Sequence, residues 1–96
     1  MIEKVRENNI FKVNAKYDLD GVKVTKTIEL GENIVQLFIH CYKDNVGSIM
    51  GFNIPIDGYL QYDVVLHDLE KIEDISDFEF LFLKLIKTHI YNLNTT

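Results

Sequence analysis

The chain has no tryptophan, and only one cysteine and one proline among its 96 residues. A lone Cys41 excludes an intrachain disulfide and any site built on several thiolates. It suits a reducing compartment, so the cytoplasm is the expected location. No apolar run approaches the ~20 residues that span a membrane. The opening Met-Ile-Glu-Lys-Val-Arg-Glu is charged throughout, with no apolar stretch of signal-peptide type behind it. Neither a membrane partner nor a secretory route is therefore expected. Basic residues are scarce and scattered: ten Lys and Arg stand against 15 Asp and Glu, for a net charge of −5. That leaves no surface to neutralise a phosphate backbone, so nucleic acid is not an expected partner. Also missing are a glycine-rich phosphate loop, an H-E-x-x-H pair, a Ser-His-Asp arrangement and a paired-carboxylate motif. The chain reads as non-enzymatic, with no cofactor and no metal.

What is present is apolar patterning. Hydrophobic residues make up 47% of the chain, enough for one core in a single domain over residues 1–96, with no repeat or low-complexity tract. Asp20-Gly21 is a strong signal for a two-residue type I′ turn, because both central positions need φ > 0. That turn pairs Leu19 with Val22, Tyr17 with Val24, Ala15 with Lys26, Val13 with Ile28 and Phe11 with Leu30. One face is thus apolar at every position except Lys26. On the other face Asp18 meets Lys23 and Lys12 meets Glu29, opposite-charge pairs that favour the same register.

The meander continues. A connection through Gly31, Glu32, Asn33 and Ile34 sets Leu30 against Val35, Ile28 against Leu37, Lys26 against Ile39 and Val24 against Cys41. Residues 33–42 also carry apolar side chains at helical spacing, but β-branched and aromatic residues and the coherent register favour a strand. A four-residue loop at Asp44-Asn45-Val46-Gly47 pairs Cys41 with Met50, Ile39 with Phe52, Leu37 with Ile54 and Val35 with Ile56. A three-residue loop at Asp57-Gly58-Tyr59 then opposes Ile56 with Leu60, Ile54 with Tyr62, Phe52 with Val64 and Met50 with Leu66. Pro55 fits a strand only where its missing N–H faces an unpaired side or a bulge. Residues 1–9 are either a short edge strand using Ile2 and Val5 or a loose arm.

Ser76 followed by Glu79 matches a capping box. Beyond it Phe78, Leu81, Phe82, Leu85, Ile86, His89 and Leu93 share one face of a helix, leaving Phe80, Lys84, Lys87 and Tyr91 outside. The expected fold is α+β: a single domain with a five-stranded antiparallel β-meander over residues 11–67 and a C-terminal α-helix over residues 76–93 packed on its apolar face.

Lys26, alone in breaking that apolar face, has two readings. Its stem covers Ala15 while its ammonium reaches Asp74, Asp77 or Glu79 at the helix start, or it anchors an anionic small ligand or peptide in a pocket between sheet and helix. His40 and His67 fall on the outer face two strands apart, too far to share an ion. His89 edges the helix core face. Cys41 and its neighbour His40 point to opposite faces of a strand, which excludes a thiolate-imidazole pair. The outer face carries Phe38, Tyr42, Ile49 and Val65, and the helix adds Phe80 and Tyr91, an aromatic-rich set of the kind that interfaces use. Asp68, Glu70, Glu73 and Asp74 form an acidic stretch before the helix. Heavy use of Ile, Asn, Lys, Asp and Phe fits an AT-rich genome. The leading expectation is a small acidic protein-binding module that occupies a basic surface, in the manner of an inhibitor, immunity or anti-defence protein of a phage or mobile element. The outer face is expected to be covered by a second copy in a homodimer or by a different protein. The alternative is the ligand binder anchored by Lys26.

Overall fold

Residues 1–56 and 60–95 are described by a computed structural model. The order is β1 (Ile2–Glu7), β2 (Ile10–Leu19), β3 (Val22–Leu30), β4 (Ile34–Lys43), β5 (Val46–Pro55), α1 (Tyr62–Glu70) and α2 (Ile75–Thr95). The strands form one antiparallel meander in chain order. Three of its four hairpins turn on residues that tolerate the left-handed region: Asn8 at φ 57°, Asp20 and Gly21 at 50° and 84°, and Asp44 and Asn45 at 51° and 63°.

The β2/β3 and β3/β4 registers are those expected, from Phe11 opposite Leu30 to Val24 opposite Cys41. Residues 33–42 are strand rather than helix in all but the first position, where β4 begins at Ile34. The β4/β5 register differs by two. Asp44-Asn45 closes the hairpin as a two-residue turn, so Cys41 faces Ser48, Ile39 faces Met50, Leu37 faces Phe52 and Val35 faces Ile54. A shift of two keeps every side chain on its face, so the apolar pattern cannot distinguish the two loops. The left-handed tolerance of Asp and Asn decides between them.

The larger correction concerns membership of the sheet. Its fifth strand is β1, not residues 60–67. The latter begin the helix α1, and the expected loop at Asp57-Gly58-Tyr59 lies outside the described residues. Leu60, Tyr62, Val64 and Leu66 are apolar at period two, but Tyr62, Val65, Leu66, Leu69 and Ile72 are apolar at helical period over a longer stretch. The helix ends at Glu70, and Ile72, just past its C-cap Lys71, continues the same stripe into the core. β1 is held by its ladder to β2 and by side chains reaching α1: Lys4 Nζ donates to the Glu70 carbonyl at 2.8 Å, and Arg6 pairs with the Glu70 carboxylate.

Both helices cover one face of the sheet. Val13, Ile28, Leu30, Leu37 and Ile54 from the strands meet Val65, Leu69, Phe78 and Leu85 from the helices in a single core. The α2 face holds as expected through Ile86 and His89, but Leu93 is exposed rather than part of the core face.

The cap of α2 also differs. Asp74, not Ser76, receives the helix start: its Oδ1 accepts from the Asp77 N–H at 2.9 Å, and Asp77 Oδ2 accepts from the Glu73 N–H at 3.1 Å. Ser76 lies inside the first turn. Glu79, which a Ser76 box would hold, is drawn instead to the sheet. Asp74→Ala is therefore expected to cost about 1 kcal/mol, and Ser76→Ala less than about 0.5 kcal/mol, in urea denaturation followed by circular dichroism. Equal losses would count against this cap.

Candidate functional site

Three surfaces gather the residues singled out by sequence. The first is the crossing of α2 over β2 and β3. Lys26 Nζ donates to both Glu79 oxygens, at 2.9 and 3.1 Å, and Tyr17 Oη donates to Glu79 Oε1 at 3.2 Å. The ammonium also lies 5.5 Å from the centre of the Phe82 ring and 5.8 Å from that of Tyr17, within cation–π range. Of the three acids within reach of a snorkelling lysine, Glu79 is the partner. Burial opposes the charge on Lys26, but hydrogen bonds and attraction from Glu79 and Tyr17 outweigh it and raise its pKa above 10.5. This lysine fastens helix to sheet, and its charge is already matched.

The second surface is the outer face of the sheet. Cross-strand hydrogen bonds link it: Asn14 Nδ2 donates to Glu3 Oε1 at 3.1 Å, Thr27 Oγ1 to Asn14 Oδ1 at 2.7 Å and Gln36 Nε2 to Asn53 Oδ1 at 3.0 Å. Phe38 and Tyr42 lie opposite Gly51 and Gly47. A Cβ at Gly51 would come within 3.3 Å of the Phe38 ring, and one at Gly47 within 3.4 Å of the Tyr42 ring. The two aromatics thus lean over glycines, which covers bare backbone and accounts for much of their presence on a solvated face. Ile49 stands fully out beside them, opposite His40. Val65 does not belong to this surface. It is 2% exposed, in the core under α1, because its segment is a helix on the other face. For the same reason His67 is exposed on α1, in a different layer from His40. Cys41 is half-buried on the helix side of the sheet. Among the described residues no group of three or more His, Cys, Asp or Glu is placed to hold a metal ion.

The third surface is the corner between α1 and α2. A shallow groove there is lined by Asp68, Lys71, Ile72, Asp77, Phe80 and Lys84, among others. Phe80 is 75% exposed at its lip. On its other side Phe80 borders a second groove along the solvent face of α2, with Leu83, Lys87, Thr88 and Tyr91. The four acids expected as contacts have separate tasks. Glu70 holds Arg6, Asp68 sits 3.8 Å from Lys84, Asp74 caps α2, and Glu73 is exposed with no ion pair among the described residues. Sequence reasoning missed Val64 and Leu83 as exposed apolar positions and Lys4 and Arg6 as partners of Glu70. For Val64 the missed signal was the helical spacing after Gln61. For Lys4 and Arg6 no local signal exists, since Glu70 is 66 and 64 residues away.

Among the described residues, no helix is long and apolar enough to cross a membrane. Compared with known proteins, the chain matches no family model, no curated protein and no solved structure.

Proposed function

We propose that the protein is a non-enzymatic binding module whose helix corner occupies a basic patch on a partner protein in the cytoplasm, as an inhibitor, immunity or anti-defence protein does. The observation that carries this reading is Phe80, 75% exposed on a rigid helix and contiguous with Leu83 and Tyr91. A phenylalanine left in water forgoes about 2 kcal/mol of burial, and single exposed apolar residues are ordinary. A contiguous aromatic stripe beside carboxylates is less so. Asp68 and Asp77 line the groove beside it, the exposed Glu73 donates its N–H to Asp77, and the chain carries a net −5, which favours approach to a positive surface. The Lys26 ligand reading has weaker support, because both Glu79 oxygens already occupy its ammonium.

The test is capture of the partner from cells that naturally express the chain, followed by titration of the purified pair. Wild type is expected to lose affinity steeply with added salt, as screened charges require. Phe80→Ala is expected to weaken binding about 30-fold, the loss typical of a central aromatic anchor. Glu73→Lys should weaken it less and flatten the salt dependence. A partner bound equally well by Phe80→Ala, with no effect of salt, would remove both halves of the reading.

A further inference from the structure

We propose that two copies of the chain pair edge to edge and antiparallel through β5, about a two-fold axis at Ile49. This goes beyond the helix corner and uses a separate surface.

The two edges of the sheet are built in opposite ways. β1, IEKVRE, carries four charges in six residues. Lys4 and Arg6 reach from its helix side to Glu70, so its free edge is guarded by inward-pointing charges, a common means of blocking strand addition. β5, VGSIMGFNIP, has no charge at all over ten residues. Ile49 is 72% exposed on its outer face and Met50 57% exposed on its helix face. A long, uncharged, apolar edge is a liability in a monomer and an interface in a dimer. In a chain of net −5 it is also where two copies approach with least repulsion.

The register follows from the hydrogen bonds of the other edge of β5. Ile56 N–H donates to the Asn33 carbonyl at 2.9 Å. Bonded and non-bonded pairs alternate along an antiparallel ladder, so Val46, Ser48, Met50, Phe52 and Ile54 turn their main-chain groups toward β4. Gly47, Ile49, Gly51 and Asn53 turn theirs to the open side. Pro55 falls in the outward set, so its missing N–H breaks no ladder bond. An axis at Ile49 places Ile49 opposite its own copy and Gly47 opposite Gly51 of the partner subunit, giving about six main-chain hydrogen bonds. It leaves Pro55 beyond the paired segment. An axis at Gly51 would instead bring Pro55 opposite Gly47 and forfeit donors. On the outer face the Tyr42 and Phe38 rings of each copy lie over Gly47 and Gly51, and between them the two Ile49 side chains meet across the axis. Because the β1 edge is blocked, such pairing closes at two chains.

Sedimentation equilibrium of wild type from low to high micromolar concentration is expected to show a monomer–dimer equilibrium. Ile49→Lys, which sets two ammonium groups face to face at the axis, should be monomeric throughout with an unchanged circular dichroism spectrum. The register is read separately in a Cys41→Ser background. Ile49→Cys should form a disulfide-linked dimer on mild oxidation, since directly opposed strand residues lie within bridging distance, whereas Val64→Cys on α1 should not. If Ile49→Lys also loses helix signal, the cysteine comparison decides. A wild type that stays monomeric overturns the dimer, and a dimer that survives Ile49→Lys and gives no Ile49→Cys link overturns this edge. Neither result bears on Phe80, whose variant reports the helix corner alone.

Discussion

Val65→Asp is expected to lower the unfolding free energy by about 4 kcal/mol, against less than about 1 kcal/mol for Val64→Asp, because an unpaired charge in a core has no compensating partner. The two valines are adjacent, yet Val65 is 2% exposed and Val64 50% exposed. The comparison separates two architectures. In a fifth strand at this point Val64 would face the core opposite Phe52 and Val65 would face solvent, so the sensitive position would be Val64. In α1 the order reverses, since Val65 joins Tyr62, Leu66 and Leu69 on the buried stripe. Domains of this size have roughly 5–14 kcal/mol to lose, so Val65→Asp should be largely unfolded near its old midpoint in urea. A tolerant Val65 with an intolerant Val64 would return residues 60–67 to the sheet.

The parts of the fold that were legible are those decided within a few residues. Asp20-Gly21 admits one tight turn, and a one-residue slip from it would turn Val13 and Ile28 outward, so two full registers follow. The parts that were not legible depend on distant groups. β1 shows little alternation, because two of its three inner-face residues are Lys4 and Arg6. Those charges make sense only beside Glu70. Likewise Ser76-x-x-Glu79 and Asp74-x-x-Asp77 are both plausible caps, and the choice turns on Glu79 being drawn to Lys26, 53 residues away. Residues 60–67 carry both periods at once, and only Leu69 and Ile72, beyond His67, complete the helical one.

The candidate surfaces divide along the same line. Phe80 and Tyr91 were legible as exposed because one helical period over a long segment fixes which side is out. Phe38 and Tyr42 were legible as outward, but not as covers for glycine. With β5 displaced by two residues they faced Asn53 and Ile49, and only the two-residue turn at Asp44-Asn45 brings them over Gly51 and Gly47. Val65 is in the core because its segment is helix, not strand. The proposed partner surface is thus a helix face, and the proposed dimer uses an edge of the sheet rather than its outer face.

Glu79→Ala is expected to cost about 2 kcal/mol, and Lys26→Met less than about 1 kcal/mol or a gain, although both break the same ion pair. A fully buried pair that loses one partner typically costs 3–5 kcal/mol, and this one is discounted because solvent reaches it. The asymmetry comes from what is left behind. Lys26 is 19% exposed, so without Glu79 its ammonium stays against Tyr17 and Phe82 with no carboxylate. Glu79 is 38% exposed and keeps the Tyr17 hydroxyl, so it is solvated when Lys26 is gone, while methionine preserves the stem that covers Ala15. The pH dependence has a definite sign. The folded-state pKa of Lys26 is raised above its ordinary 10.5, burial being outweighed by Glu79 and Tyr17. Its contribution is therefore complete below about 10.5 and disappears as pH rises through the folded value. Wild type should lose stability across that alkaline range relative to Lys26→Met, which has no such group to titrate. Denaturant melts of the three proteins at neutral and strongly alkaline pH make the comparison. If Lys26→Met proves the costlier change, and phosphate or carboxylate compounds raise the wild-type midpoint but not that of Lys26→Met, the lysine is a ligand anchor and not a fastening between helix and sheet.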